Sequence, residues 1–283
     1  MTDDFATTPP RADRGARPSL QPMAGRSTAM LEIGDLIDKI ANTDMSACVW
    51  GESGTGKNLV GRVIHDRSAR RGGPFVVVNC TTRPEETIET RLFGPLEPAL
   101  NGARTVHGSM LALAHTGTLV LDELPALGPR LQTRLLEALR TRRLPESGGA
   151  LRRFSARLIT TMSTDPVRAV EEGRLNEDLY YRVAVVLVRM PALRERPEDI
   201  PLLVEHLLRR FAARYRRPMV PLAVGIVERM MPLPWPGNVR QLEDLLRHAF
   251  LLTNGDVITD QDLSRAAMAL EREGGVNPLR RVS

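Results

Sequence analysis

Hydrophobic residues recur in two rhythms along this chain. Between residues 26 and 192, short apolar runs at Ala47 to Trp50, Phe75 to Val78, Thr118 to Leu121, Arg157 to Thr161 and Val183 to Val188 alternate with stretches of helical spacing such as Met30, Ile33, Leu36, Ile37 and Ile40. Apolar runs separated by helices mark a parallel sheet, because each parallel crossover needs a helix and leaves the strands covered on both faces. The pattern predicts a five-stranded α/β domain over residues 26–192, entered by a helix that Ser27 is placed to cap.

After Pro191 the strand-like runs stop. Ile200, Leu203, Val204, Leu207, Leu208 and Phe211 repeat at helical spacing; so do Val224, Val227, Met230 and Met231, and then Val239, Leu242, Leu245, Leu246 and Ala249. Successive helices with no strand-like run between them predict a smaller all-helical domain over residues 193–272. Residues 1–25, with Pro9, Pro10, Pro18 and Pro22, have no periodicity and read as a disordered tail, and residues 273–283 read as a frayed end.

Composition narrows the picture only slightly. A hydrophobic content of 42% supplies a core, and a net charge of +5 is spread over scattered arginines, so charge alone argues for no nucleic-acid contact. Cys48 and Cys80 lie in or at the end of apolar runs without metal-ligand spacing, which reads as buried thiols of a reducing compartment. No apolar run is long enough to cross a bilayer, and the N-terminus carries acids and prolines rather than a signal sequence; the expectation is a cytoplasmic protein without membrane contact.

The candidate chemistry begins at Gly51-Glu52-Ser53-Gly54-Thr55-Gly56-Lys57, between an apolar run and an amphipathic one. A strand feeding a glycine-rich turn that opens a helix aims unpaired backbone N–H groups and the helix dipole at one spot, which suits a polyphosphate. Lys39 and Lys57 are the only lysines among 39 basic residues, so a chain that writes its positive charge as arginine has a lysine where a phosphate-binding loop needs a compact ammonium. The general motif has a hydroxyl after the lysine to hold magnesium, and here that residue is Asn58; a glycine-rich turn without a ligand is the plain alternative. The run Thr118 to Leu121 ends in Asp122-Glu123, two acids at the C-terminal edge of a buried strand. There Asp122 can orient magnesium, directly or through water, and Glu123 can polarise the water that attacks a γ-phosphate. Two helix caps would be the plain reading of the same pair.

Together Gly51 to Lys57, Phe75-Val-Val-Val-Asn-Cys80, Leu92-Phe-Gly94, Gly117 to Glu123, Asp178-Leu-Tyr-Tyr-Arg182, Pro191 to Arg196 with Glu198 to Leu203, and Trp235-Pro-Gly-Asn-Val-Arg240 resemble the central domain of bacterial enhancer-binding proteins. Those are AAA+ ATPases that activate transcription by the sigma-54 RNA polymerase, and the resemblance runs from about residue 26 to about residue 265. It implies an AAA+ P-loop NTPase fold, with a parallel five-stranded αβα core followed by a small helical lid, that binds ATP and Mg2+. It further implies that Asn79 is a switch asparagine holding Glu123, that Arg182 is an arginine finger reaching a neighbouring subunit's γ-phosphate, and that Arg240 contacts nucleotide from the lid. Asn58 stands where the family usually has glutamate. A finger acting in trans implies a ring, whereas ordinary salt bridging is the plain reading of both arginines.

Departures from the family fall on function. The loop Gly-Ala-Phe-Thr-Gly-Ala, which grips the sigma factor, aligns with Pro98-Ala99-Leu100-Asn101-Gly102-Ala103, where the aromatic ring is lost and Pro95 and Pro98 restrict the backbone. Ser163 takes the place of a sensor asparagine, and Asn176 that of a second arginine finger, with Arg174 two positions earlier. No helix-turn-helix segment is legible, so enhancer DNA binding is not expected of this chain. Two readings follow. In the first, a ring-forming ATPase remodels a transcription complex; in the second, a weakly hydrolysing or non-hydrolysing homologue co-assembles with an intact activator. A phosphate-loop enzyme acting on a small molecule is a third, for which the chain supplies no substrate pocket.

Overall fold

The computed structural model describes residues 25–94, 109–145 and 151–272. The loop at residues 98–103 and the two tails lie outside them. Helix α1 (Thr28–Ala41) leads into β1 (Ala47–Trp50) and α2 (Lys57–Asp66). Then follow β2 (Phe75–Asn79), α3 (Glu85–Phe93), α4 (Met110–Leu113), β3 (Thr118–Asp122) and α5 (Pro129–Thr141). Next come a hairpin of β4 (Arg143–Pro145) and β5 (Leu151–Arg153), β6 (Arg157–Met162), α6 (Pro166–Glu171), α7 (Glu177–Val183) and β7 (Val186–Arg189). Five of these strands form one parallel sheet in the order β2-β3-β6-β1-β7, and the antiparallel β4-β5 pair stands apart.

The central strands β1, β3 and β6 are buried on both faces because they alternate apolar residues to either side, whereas the edge strands β2 and β7 are only partly covered and leave Val77 and Leu187 exposed. Leu119, Leu121, Leu158 and Met162 pack with Leu131, Leu135 and Leu179 from the helices of one face. Val120, Ile159 and Val49 pack with Ile33, Ile37, Val60 and Ile64 from α1 and α2 on the other. Every residue of β6 is buried, including Arg157. Its guanidinium caps α1 from below, donating to the carbonyls of Ile40 (2.9 Å), Ala41 (2.7 Å) and Met45 (3.2 Å). A cation at a helix C-terminus satisfies carbonyls that the helix itself leaves unpaired.

Helices α8 (Ile200–Tyr215), α9 (Ile226–Met230), α10 (Asn238–Leu252) and α11 (Asp260–Arg272) form the second unit around Leu207, Phe211, Trp235, Leu245, Leu246 and Phe250. Trp235 is wholly buried and its indole N–H donates to the Met230 carbonyl at 2.9 Å. Among the described residues no helix is long and apolar enough to cross a membrane. Both cysteines are buried and unpaired, and burial pushes the Cys48 thiol up to about 12.

Several local expectations are corrected. The run Val183 to Val188 is not one strand: Asn176 caps α7 by accepting from the Leu179 N–H, and the helix runs on through Val183, which packs inward beside Leu179. Ser27 precedes α1 but caps nothing with its hydroxyl, which instead donates to Asp199 at 2.7 Å. Val224 is fully exposed, because Gly225 in the left-handed region (φ 82°) delays α9 until Ile226, and the buried pair is Ile226 and Met230. The helical unit also contains one parallel bridge, Leu222 to Ile258.

Replacing Arg157 with methionine keeps the bulk but removes three hydrogen bonds and leaves the buried Ala41 carbonyl without its partner. We expect a loss of roughly 3 kcal/mol and a fall in Tm of about 6–12 °C, read by thermal denaturation; a Tm within 2 °C of the parent (, roughly half a kcal/mol) contradicts this account of the α1 cap.

Candidate functional site

The phosphate loop is held by close backbone approach on two sides. Gly51 (φ 144°) leaves β1 against β7, and a Cβ there would lie 2.4 Å from the Met190 carbonyl oxygen. A Cβ on Gly54 (φ 80°) would lie 2.2 Å from the carbonyl oxygen of Gly237, at the turn that opens α10. No side chain fits either position, so both glycines are dictated by packing as well as by backbone angle. With Gly56 also left-handed (φ 102°), α2 starts at Lys57. The Lys57 side chain is buried, and its ammonium donates to the carbonyls of Gly51 (2.8 Å) and Glu52 (3.1 Å) and to Ser163 Oγ (3.3 Å). Burial pushes its pKa below the ordinary lysine range, while Glu123 and Asp122 pull it back up.

Asp122 ends β3 and accepts from Thr161 Oγ1 (2.5 Å) and from Asn58 Nδ2 (3.0 Å). The asparagine that replaces the expected hydroxyl thus reaches the acid of the metal-type site. Glu123 takes a left-handed conformation (φ 62°), uncommon for a residue with a side chain, and its amide donates to Thr161 Oγ1. That turn brings its carboxylate to β6, where Oε1 accepts from the Ser163 N–H (2.9 Å) and Oε2 from the Ser163 hydroxyl (2.7 Å).

Asn79 does not hold Glu123. Its Oδ1 is engaged by the Thr81 N–H (2.8 Å) and hydroxyl (2.7 Å), a local side-chain-to-backbone turn that competes for the amide. Asn79 still lines the cavity. Glu52 and Gly51 do not line it. The Glu52 carboxylate turns to the lid junction, where Arg194 and Asn238 Nδ2 (3.2 Å) donate to it, and this pairing lowers its pKa to about 2, with the Arg194 guanidinium the main cause. Asn238 is wholly buried and left-handed (φ 52°); its Nδ2 also donates to the Ser53 carbonyl (2.9 Å) and its Oδ1 accepts from the Leu193 N–H (2.7 Å).

Core and lid enclose a cavity of about 540 Å³. Ser53, Gly54, Thr55, Gly56, Lys57, Asn58, Asp122, Glu123 and Ser163 line it, together with apolar side chains of Met30, Met190, Leu203, Leu207 and Val239. Arg240 borders it from α10, with its backbone N–H on the Gly54 carbonyl at 3.3 Å. Arg182 does not border it: the side chain is exposed on α7 and donates to the Leu139 carbonyl at 3.0 Å. Arg174 pairs with Glu172 on its own surface, and Asn176 is occupied as a helix cap.

The sequence reading missed Arg196 and Asp199. Arg196, 2% exposed, supports the loop from beneath by donating to the Thr55 carbonyl at 3.1 Å, and burial lowers its pKa. Asp199 accepts from the amides of Arg26 (2.6 Å) and Ser27 (2.8 Å), which ties the start of α1 to the junction. Both lie in the run Pro191 to Leu203 that carried the resemblance, yet burial of a charged pair has no signature in polar spacing.

Comparison with known proteins agrees with this architecture. The family model described as the Sigma-54 interaction domain matches residues 23–189, and one described as the AAA+ ATPase lid domain matches residues 194–277. The chain is 39% identical over 246 residues to a Nif-specific regulatory protein of Herbaspirillum seropedicae, covering 87% of this chain and 45% of that protein. It is 38% identical over 262 residues to the transcriptional regulatory protein ZraR of Salmonella typhimurium, covering 91% and 59%. The crystal structure of NtrX from Brucella abortus in complex with ATP superposes with a TM-score of 0.77 at 32% identity, covering 85% of this chain and 53% of that one. The chain thus spans about half the length of such relatives. A buried parallel sheet with a glycine-rich phosphate loop, joined to a helical lid and matched in both parts, places this chain in the sigma-54 interaction domain family of AAA+ proteins.

Proposed function

We propose that this chain is an ATP-hydrolysing AAA+ transcriptional regulator that works in a ring and spends hydrolysis on remodelling a sigma-54 RNA polymerase complex. The observation that supports it most is the meeting of the buried Lys57 ammonium with the Asp122-Glu123 pair in one cavity beneath Arg240. The triphosphate lies over the amides of Ser53 to Lys57 at the start of α2, where unpaired N–H groups and the helix dipole favour negative charge. Apolar side chains lining the cavity, Met30 and Met190 among them, take the base.

A magnesium ion fits beside Asp122, whose carboxylate accepts two hydrogen bonds and has lone pairs to spare. When bound, such an ion neutralises charge on the terminal phosphates. The remaining roles belong to side chains. Lys57 draws the terminal phosphates, Asn58 orients the Asp122 carboxylate, and Glu123 polarises the attacking water. Arg240 contacts the nucleotide from the lid, and Asn79 and Ser163 border the phosphates. Arg182 is exposed and does not line its own cavity, which leaves it able to serve a neighbour's site once it releases the Leu139 carbonyl.

Lys57→Ala should weaken binding of a fluorescent ATP analogue by at least about 100-fold, and unchanged affinity on titration would remove the site assignment. Steady-state hydrolysis should rise more steeply than protein concentration and vanish in Glu123→Gln. ATP binding without turnover at any concentration would favour the co-assembling, non-hydrolysing reading.

Arg182→Ala and Glu123→Gln should each be inactive alone, by roughly 10³-fold or more. Mixed one to one, they should recover activity, because in about a quarter of randomly mixed sites an intact Glu123 meets an intact Arg182 across the interface. A mixture as inactive as its parts argues against a finger acting between subunits.

A further inference from the structure

Ser163 stands where the ammonium and the carboxylate of the site meet. Its N–H and hydroxyl both donate to Glu123, at 2.9 and 2.7 Å, and its hydroxyl oxygen accepts from Lys57 Nζ at 3.3 Å. Among the described residues no other side chain makes a hydrogen bond to the Glu123 carboxylate, and Asn79, whose Oδ1 accepts from Thr81, makes none to it. Two limits of chemistry follow. The ammonium has three N–H donors, and Gly51, Glu52 and Ser163 take all of them, with the Ser163 bond the longest. The serine hydroxyl has one proton, and Glu123 takes it.

A phosphate oxygen seated on Lys57 must therefore claim a donor already in use, and the bond to Ser163 is the first to give. The same phosphate is a rival acceptor for the single Ser163 proton. An asparagine here would offer donor and acceptor on separate atoms and serve both groups at once; a serine serves one or the other.

We propose that Ser163 is a positioning residue that latches Glu123 to Lys57, and that a terminal phosphate arriving on Lys57 opens the latch and frees the carboxylate to polarise water. The latch rests on the nucleotide reading above. It puts the coupling between phosphate occupancy and the general base at Ser163, just past β6, in place of the asparagine that ends β2.

The experiment is a titration of the whole chain with fluorescent ADP and with a non-hydrolysable fluorescent ATP analogue, comparing the parent with Ser163→Ala, Ser163→Gly and Ser163→Thr. Removing the hydroxyl frees Lys57 in advance, so the alanine and glycine variants should bind ADP about fivefold tighter, the scale of one net hydrogen bond. Their preference for triphosphate over diphosphate should fall by a similar factor, because the contact to the last phosphate goes too. Threonine keeps the hydroxyl and should restore parental values. A merely structural serine predicts weaker binding of both nucleotides, and a pure γ-phosphate sensor predicts unchanged ADP affinity with weaker triphosphate; either result overturns the latch. All three variants retain the backbone N–H at position 163 that donates to Glu123, so the comparison isolates the hydroxyl. If the parent binds neither nucleotide, the nucleotide reading falls first and the latch falls with it.

Discussion

The structure depends on a close backbone contact that leaves no room for side chains: the phosphate loop runs between the end of β7 on one side and the turn before α10 on the other. Gly51 meets the Met190 carbonyl and Gly54 meets that of Gly237, each closer than any Cβ permits. The loop is thus gripped by the sheet and by the lid together. Its amides owe their direction to that grip, because three glycines in one turn otherwise have wide conformational freedom. What chemistry the site performs therefore depends on how core and lid pack, even though Lys57, Asp122 and Glu123 all belong to the core.

The sheet is legible in the sequence because its strands read as short uninterrupted apolar runs; Ala47 to Trp50 and Phe75 to Val78 stand where that pattern puts them. The phosphate loop and the acid pair were legible because their chemistry constrains residue type at fixed spacing. Edges were harder. Val183 reads as strand in the sequence because β-branched residues suit either state, and what settles it is Asn176, an ordinary polar residue until its cap to Leu179 is seen. Val224 fitted a helical rhythm that Gly225 interrupts. In a short helix one residue of offset selects the wrong face.

Within the site, sequence located the residues but not their partners. Glu52 reads as part of a nucleotide loop, yet Arg194 and Asn238, far along the chain, turn it toward the lid. Asn79 reads as the partner of Glu123, yet its Oδ1 is anchored by Thr81, two residues on, and its amide makes no hydrogen bond to Glu123. Family motifs record position along the chain. Hydrogen bonding is decided by which competitor lies within about 3 Å, and that is a property of the fold.

The clasp between loop and lid can be divided by burial. Arg194 and Glu52 form an ion pair with side chains 44% and 42% exposed, and an exposed pair contributes about 0–1 kcal/mol. Asn238 is wholly buried with both ends of its amide engaged, so breaking it leaves buried donors and acceptors unpaired, at about 1–3 kcal/mol for each group. The firm part of the clasp is therefore neutral, and salt that screens the ion pair leaves it in place. Because Asn238 lies two residues before Arg240, a lid displacement large enough to withdraw Arg240 from the cavity also strains the Ser53 carbonyl at the tip of the phosphate loop. Separating loop from lid therefore requires breaking the hydrogen bonds of a buried amide.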